Sequence, residues 1–399
     1  MSLRVALVGS YPLLYPLRID GGVEAATFYL AQGLKAHENT EVHAVSVTKR
    51  LQAACQARDG DIAVHYLPEP RRRVVPNAIR NVFRLRRLID DIRPDIVNGG
   101  SPSATLAGLM AGYPTVHTIH GVMHNEGRYF GNALADRLNA RLCAYLAKKA
   151  ISGASHSIAV SSYVRNEYQD VARSGITVIP NAVEDRFFCV ESREVPDRML
   201  YVGFVSRLKN ILGLVRAFEA VKRSRPRAEL AVAGSVQDQA YYADILNYIE
   251  AQGLGGSIHL LGPVNQDDLL GEYAKAAVVC TFSWVETFSL TVAQGMAAGK
   301  PAISSDSGGP SDLITGGETG FLVAPGDEKA FAEKSILLLE DGGLRSRMGA
   351  AGREVAEQRF RKEVVAAQTV EVYEQVLRTH SPAGQTRVGR RLAAEERRA

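Results

Sequence analysis

"SWVETFSLTVAQGMAAGKPAISSDSGGPSD", residues 283–312, sets an acid, Glu286, just beyond an apolar run (278–282) that reads as a buried strand. A helix is expected to begin at Phe288-Ser289-Leu290. The next strand, 301–304, runs into a glycine turn at Ser307-Gly308-Gly309-Pro310. Strand, helix and strand in this order form the unit of a parallel sheet with helical crossovers. An ionised Glu accepts several hydrogen bonds, and the free N–H groups at a helix N-terminus attract anions. The stretch therefore suits a sugar held by its hydroxyls and joined to a diphosphate.

Working outward, short β-branched runs alternate with amphipathic segments almost throughout. Strands are expected at 4–8, 42–47, 62–66, 95–98, 115–120, 157–160 and 177–179, with helices such as 23–34 and 133–151 between them. The pattern restarts after "IPNAVEDRFF" (179–188), with strands at 199–202, 229–232, 258–261, 278–282, 301–304 and 321–323. The fold class is α/β, with two doubly wound domains. The expected division is 1–185, 186–361, a last helix at 362–380 and a basic tail, 381–399, too poor in large apolar residues to fold. Ligands of open α/β sheets bind beyond the carboxyl ends of the strands, so two such domains imply an interdomain cleft.

Composition narrows the class. The 399 residues are 46% hydrophobic and 23% charged, as in a water-soluble globular protein, and no run is long enough for a membrane span. "MSLRVALVGSYP" reads as a first strand, not a signal peptide. The four cysteines lie singly, without metal or redox spacing, and read as reduced core thiols of a cytoplasmic protein. The net charge of +4 is uneven: 71–93 carries eight Arg against Asp90 and Asp91, and the tail five Arg against Glu395 and Glu396. The body is left mildly acidic, which excludes a general nucleic-acid binder. Val82, Leu85, Leu88, Ile89 and Ile92 form one stripe of a helix, with Arg80, Arg84 and Arg87 on another face. That helix reads either as a plain domain helix or as a peripheral docking surface for anionic lipid on the inner membrane face.

Other strand ends carry candidate chemistry. Gly21-Gly22 at the start of the first helix offers an anion site or merely makes a turn. "HTIHGVMHNE" (117–126) gathers His117, His120, His124 and Glu126. His117 and His120, three apart on a strand, point to opposite faces, which argues against a metal site. His120 then reads as a structural histidine or as a polar contact in the cleft. Arg207 and Lys209 fall between a strand and a helix, either as solvated loop residues or as counter-charges to a diphosphate. Gln294, two turns into its helix, lies on the face of Thr287 and Leu290.

With "GGVE" (21–24), "RPDIVNGGS" (93–101), "HTIHG" (117–121), "VIPNAVEDRFF" (178–188), "YVGFVSRLKNILGLVRAF" (201–218) and "ETFSLTVAQGMAAGKPAISSDSGGPSDLI" (286–314), nearly the whole chain resembles the retaining glycosyltransferases of GT-B fold, glycosyltransferase family 4, also called glycosyl transferases group 1. The resemblance implies a sugar nucleotide, UDP- or GDP-linked, held mainly by the C-terminal domain. It implies a glycan, lipid-linked or small-molecule acceptor approached from the N-terminal domain, and no further cofactor. Position by position, it places Gly21 and Gly22 beside the donor phosphates and acceptor, His120 on the transferred sugar, and Arg207 and Lys209 on the diphosphate. Backbone near Val264 would meet the base. Glu286 becomes the first acid of the family's Glu, seven residues, Glu signature, with Phe288, Ser289 and Leu290 beneath the sugar and diphosphate.

Three departures qualify it. The second acid, which looks to the ribose, is Gln294; an amide loses the charge-assisted pairing, so weaker donor binding is expected. Glycines common beside the first acid are Thr287 and Ser289, narrowing the sugar pocket. The Arg–Lys segment is about three residues short, which makes Arg207 the firmer of the two. No carboxylate stands out as a nucleophile, so front-face attack without a metal is the expected route. The competing readings are a catalytically silent sugar-nucleotide binder, a nucleotide-sugar epimerase of the same architecture, and a phosphorylase, for which no cofactor-bearing Lys stands out.

Overall fold

The computed structural model describes residues 2–15, 17–19, 21–37, 39–69, 76–122 and 134–380. The arginines at 71–73, the 123–132 segment with His124 and Glu126, and the 381–399 tail lie outside them. The chain divides into two compact units, residues 183–361 and residues 1–182 together with the chain from 362 onward.

The first unit has a sheet of eight strands in the order Ile176–Val178, His156–Ala159, Thr115–Ile119, Ile96–Gly99, Leu3–Val8, Thr40–Thr48, Ile62–Pro68 and Cys55–Asp59. All neighbours are parallel except the last pair. Leu3–Val8 is the earliest strand, and the strands on its two sides come from different halves of the unit, so the strand order reverses beside it, at Ile96–Gly99. The strands are nearly fully buried, as continuous apolar runs covered on both faces must be. Helices Asn77–Ile92 and Pro102–Ala111 cover one face, pressing Val82, Leu85 and Ile89 onto Val8, Val45 and Val97. The terminal helix Lys362–His380 joins this unit by backbone contact: a Cβ added to Gly33 would lie 2.3 Å from the Lys362 carbonyl oxygen. Its Tyr373 hydroxyl accepts from Asn98 Nδ2 at 2.7 Å, and Asn98 Oδ1 accepts from Thr118 at 2.8 Å.

The second unit has six parallel strands in the order Ile258–Gly262, Glu229–Ala233, Arg198–Val202, Val278–Thr281, Ala302–Ser305 and Gly320–Val323. Its order reverses between Arg198–Val202 and Val278–Thr281. Phe218, Phe282 and Phe331 fill the core, with the last two rings 4.8 Å apart. Helix starts follow local chemistry: the side chains of Asp238, Asn265, Asp327 and Asp341 each cap a helix by accepting from a first-turn N–H.

Four expectations need correction. Cys55–Asp59 is an additional antiparallel edge strand; its alternate residues face solvent and gave no apolar run. Leu13–Leu14 and Leu17–Arg18 pair as a small ladder where a plain loop was expected. The strand before His120 ends at Ile119, and the helix after Glu286 begins at Leu290, not at Phe288. Of the four free cysteines only Cys280 is a core thiol, while Cys55 and Cys189 are exposed.

Candidate functional site

In the second unit, the site grows from the two strands at which the order reverses. After Val202 the chain makes a short turn at Arg207–Lys209 and enters its helix through Asn210, held in the left-handed region at φ 52°. After Thr281 the chain bends past Ser283. Leu208's carbonyl accepts the Trp284 N–H at 2.9 Å, which stitches the two loops together. Lys209 Nζ consequently meets Glu286 Oε2 at 2.5 Å, and the Ser283 hydroxyl donates to the same oxygen at 3.3 Å. Both partners are largely shielded from solvent. Burial, and next the Glu286 charge, push the Tyr201 hydroxyl well above its ordinary range.

The backbone of this acid is pinned from the glycine turn. Glu286 N–H donates to the Ser307 carbonyl at 3.0 Å, and Gly309 N–H donates to the Glu286 carbonyl at 2.7 Å. A Cβ on Gly309 would fall 2.4 Å from Phe288 N and from Thr287's backbone, so only glycine permits this approach. Phe288 turns its ring into the core, edge-on to Phe360 at 5.8 Å, and only its backbone borders the loop. Ser289 caps the helix Leu290–Ala297 in the left-handed region, at φ 75°.

Arg207 goes elsewhere. It is half exposed, donates to Asp238 at 3.1 Å, lies 3.5 Å from Asp244, and stacks 4.9 Å over the Tyr241 ring. Lys209, the member of the pair that sequence reasoning ranked second, is therefore the one seated on Glu286. Gln294 is buried, and its Oε1 accepts from the Tyr273 hydroxyl at 3.0 Å. Val264 is half-buried in the loop after Ile258–Gly262, immediately before the capping Asn265.

In the first unit, the corresponding reversal lies between Leu3–Val8 and Ile96–Gly99. Gly100 N–H donates to the Val8 carbonyl at 2.8 Å, and Gly9 and Gly100 pack almost backbone to backbone. His120 stands over this pair, its Nε2 3.7 Å from where a Cβ on Gly100 would sit. Val8, Asn98, Gly100, Thr118 and His120 line one cavity. Burial, then the nearby His117, lower His120 to about 4, so its imidazole is neutral at ordinary pH. His117 is committed to structure, its Nδ1 lying 2.7 Å from Thr105 Oγ1 and 2.9 Å from the Gly99 carbonyl. Gly21 precedes the helix Gly22–Ala36 in extended backbone, and a Cβ on Gly22 would meet nothing within 4 Å. Among the described residues, packing does not demand glycine at Gly22.

Of the residues singled out in the sequence, Lys209, Glu286, Thr287, Phe288, Ser289 and Leu290 gather around one loop system of the second unit. Gly21, Gly22 and His120 belong to the first. Ser283, which bonds Glu286, and Tyr273, which holds Gln294, were missed; Ser283, three residues before the acid, was the legible one. Among the described residues, no group of three His, Cys, Asp or Glu is placed to hold a metal ion. No described helix is long and apolar enough to cross a membrane.

The comparisons with known proteins bear on the family and the fold. The family model described as Glycosyltransferase Family 4 matches residues 20–187, and the one described as Glycosyl transferases group 1 matches 184–355. The capsular polysaccharide biosynthesis glycosyltransferase CapM of Staphylococcus aureus is 24% identical over 361 residues, covering 86% of this chain and 91% of that protein. Among solved structures, sucrose-phosphate synthase from Thermosynechococcus elongatus superposes with a TM-score of 0.80 at 21% identity, over 94% of this chain and all of that one. Anabaena HepE, solved in complex with UDP-glucose, superposes with a TM-score of 0.72 at 18% identity over 94% of this chain. Two reversing parallel sheets, an acid and a lysine at the reversal of the second, and family models spanning both units lead to one conclusion: the chain is a GT-B glycosyltransferase and belongs to glycosyltransferase family 4, group 1.

Proposed function

We propose that this glycosyltransferase takes a sugar from a nucleoside-diphosphate donor, UDP- or GDP-linked, and passes it with retention to a hydroxyl of a glycan, lipid-linked or small-molecule acceptor, without a metal. The observation that carries the reading is the Lys209–Glu286 pair at the strand reversal of the second unit, beside the N-terminus of Leu290–Ala297. Glu286 accepts hydroxyls of the transferred sugar, while Lys209 and the helix N-terminus take the diphosphate charge. The bond from the anomeric carbon to the phosphate oxygen breaks, and its electron pair stays on that oxygen. The acceptor oxygen bonds to the same face, and its proton passes to the departing phosphate. Arg207 reaches the diphosphate by leaving Asp238. The likeness to HepE, which was solved with UDP-glucose, supports the donor class.

The test is a panel of UDP-, GDP- and ADP-sugars, scored for donor hydrolysis and for transfer, with the product anomer read by NMR. Hydrolysis without acceptor dismisses a silent binder. A new nucleotide sugar formed without acceptor would indicate an epimerase, and an inverted product would overturn retention. Activity lost on chelation and restored by a divalent ion would overturn metal independence.

A cytoplasmic location with peripheral contact to anionic membrane belongs to the same reading. In the helix Asn77–Ile92, Val82, Leu85, Ile89 and Ile92 are buried in the unit's core, so only the outer face with Phe83, Arg86 and Arg87 is free to meet lipid. Co-sedimentation with anionic vesicles that falls as salt rises is the expected result; no binding, or binding indifferent to salt, would refute it.

A further inference from the structure

The two cations of the Arg207–Lys209 turn are both committed to acids, and to different ones. Lys209 pairs with Glu286. Arg207 turns the other way, onto the helix Gln239–Ala251. Its Nε donates to Asp238 Oδ2 at 3.1 Å, its Nη2 lies 3.5 Å from Asp244 Oδ2, and its guanidinium stands 4.9 Å over the Tyr241 ring. The start of one helix thus supplies two carboxylates and an aromatic face to a single guanidinium. The platform is well fixed. Tyr241 is buried, and its hydroxyl accepts the Leu212 N–H at 2.8 Å, in the first turn of the helix that follows Arg207. Asp238 caps its own helix, its Oδ1 accepting the Tyr241 N–H at 2.9 Å. Asp244, one turn beyond Tyr241, is exposed.

We infer that Asp238 and Asp244, with Tyr241 as their platform, compete with the donor's diphosphate for Arg207, and so hold the affinity for the donor below what the same site would show without them. This rests on the donor reading above and adds a control on it. A guanidinium presents its N–H groups as a planar fork that suits carboxylate and phosphate alike, so the same donors serve either partner. Stacking over Tyr241 holds that plane against the acids. Glu286 pairs with a cation too, but in the donor reading it also takes the sugar. Asp238 and Asp244 have no such second part, and two negative charges near a diphosphate otherwise only repel it. They are positioning residues that act on the donor through Arg207.

A double-mutant cycle tests the competition. Asp238→Asn combined with Asp244→Asn removes both charges and keeps a cap, since asparagine caps a helix as well as aspartate does. Arg207→Gln removes the guanidinium. Calorimetry first finds which of UDP, GDP and ADP the wild-type protein binds most tightly, and then measures that diphosphate and its nucleoside on all four proteins. The Asn pair is expected to bind the diphosphate about three- to tenfold more tightly than the wild type, the scale of releasing two exposed ion pairs, and the nucleoside as before. In the Arg207→Gln background the same pair is expected to gain nothing. Equal gains with and without Arg207 would overturn the inference, by showing that the acids act through repulsion alone. Unchanged affinity in the Asn pair would overturn it as well, as would equal gains for diphosphate and nucleoside, or an Arg207→Gln protein that binds the diphosphate like the wild type. In each of these cases the donor reading still stands on Lys209 and Glu286. A wild-type protein that binds none of the three diphosphates would overturn that reading and the inference with it.

Discussion

The chain builds a reversing parallel sheet twice and furnishes the two reversals differently. In the first unit Leu3–Val8 and Ile96–Gly99 run out into Gly9 and Gly100, and the neutral imidazole of His120 borders the gap. In the second, Arg198–Val202 and Val278–Thr281 run out into loops that bring a lysine and a glutamate to 2.5 Å. Backbone topology alone provides a crevice at each reversal. What lines it depends on the loops: close-packed glycines and a neutral imidazole offer no charge, whereas an ion pair offers both signs of charge to a polar, anionic partner. On the proposed function, bond breaking belongs to the second reversal.

The largest effects should come from breaking that pair. Glu286→Ala and Lys209→Ala are each expected to lower turnover about a hundredfold or more, the scale of losing one preorganised charge contact in a transition state. Arg207→Ala should approach that loss only if the guanidinium leaves Asp238 and Asp244 when the donor binds. Steady-state kinetics on the three variants orders them, and near-normal turnover in Glu286→Ala would remove the second reversal from the chemistry.

Glycines sharpen the comparison on the stability side. Gly309→Ala forces a Cβ to within 2.4 Å of main-chain atoms, and a loss of about 1–3 kcal/mol is expected in denaturant unfolding. Gly100→Ala places its Cβ no nearer than 3.7 Å to any neighbour and should unfold like the wild type. If Gly100→Ala nevertheless slows turnover, the space beside His120 is used by a substrate.

Acid should find the first unit before the second. His117 is held at about 4, chiefly by burial, against an ordinary value of 6.5. The unfolded chain thus binds a proton near pH 6.5 that the folded chain refuses. The stabilisation is complete above pH 6.5 and is lost as pH falls toward 4. From pH 6.5 to 5 the loss is on the order of 2 kcal/mol for this imidazole. Melting temperature followed from pH 7.5 to 5 should show the decline, and His117→Gln should remove this imidazole's share of it while His120, also lowered to about 4, keeps its own; an unchanged slope would place the acid sensitivity elsewhere.

The strands were legible because a parallel strand covered on both faces must be a continuous apolar run, and runs such as 278–282 and 229–232 announce themselves. Cys55–Asp59 did not, since an edge strand with solvent on one side spends its residues on polarity. The acid and the lysine were each legible as residues beyond strand ends. Their pairing was not, because 77 positions separate them and the contact depends on Asn210 turning left-handed after Lys209. The left-handed serine was invisible for the same reason: nothing in "ETFSLT" distinguishes a helix starting at Phe288 from one starting at Leu290. Thiol burial, read from residue type, failed at Cys55 and Cys189, where local loops decide exposure.

The smallest expected effect tests Gln294, which stands where the resemblance expects a second acid. Gln294 is 5% exposed, and its carbonyl oxygen accepts the Tyr273 hydroxyl. Gln294→Glu would restore the family's acid at nearly the same volume, but it removes the amide's two N–H donors and buries a carboxylate whose described partner is one hydroxyl. A destabilisation of about 1 kcal/mol follows from that desolvation. If the side chain faces the donor ribose, the ionised form should bind nucleoside diphosphate a few-fold more tightly, because charge-assisted bonds are roughly twice as strong as neutral ones. A lower melting temperature without tighter binding would mean that Gln294 serves only to tie the helix Leu290–Ala297 to Tyr273. The second reversal would then grip its ligand through Lys209, Glu286 and the backbone alone.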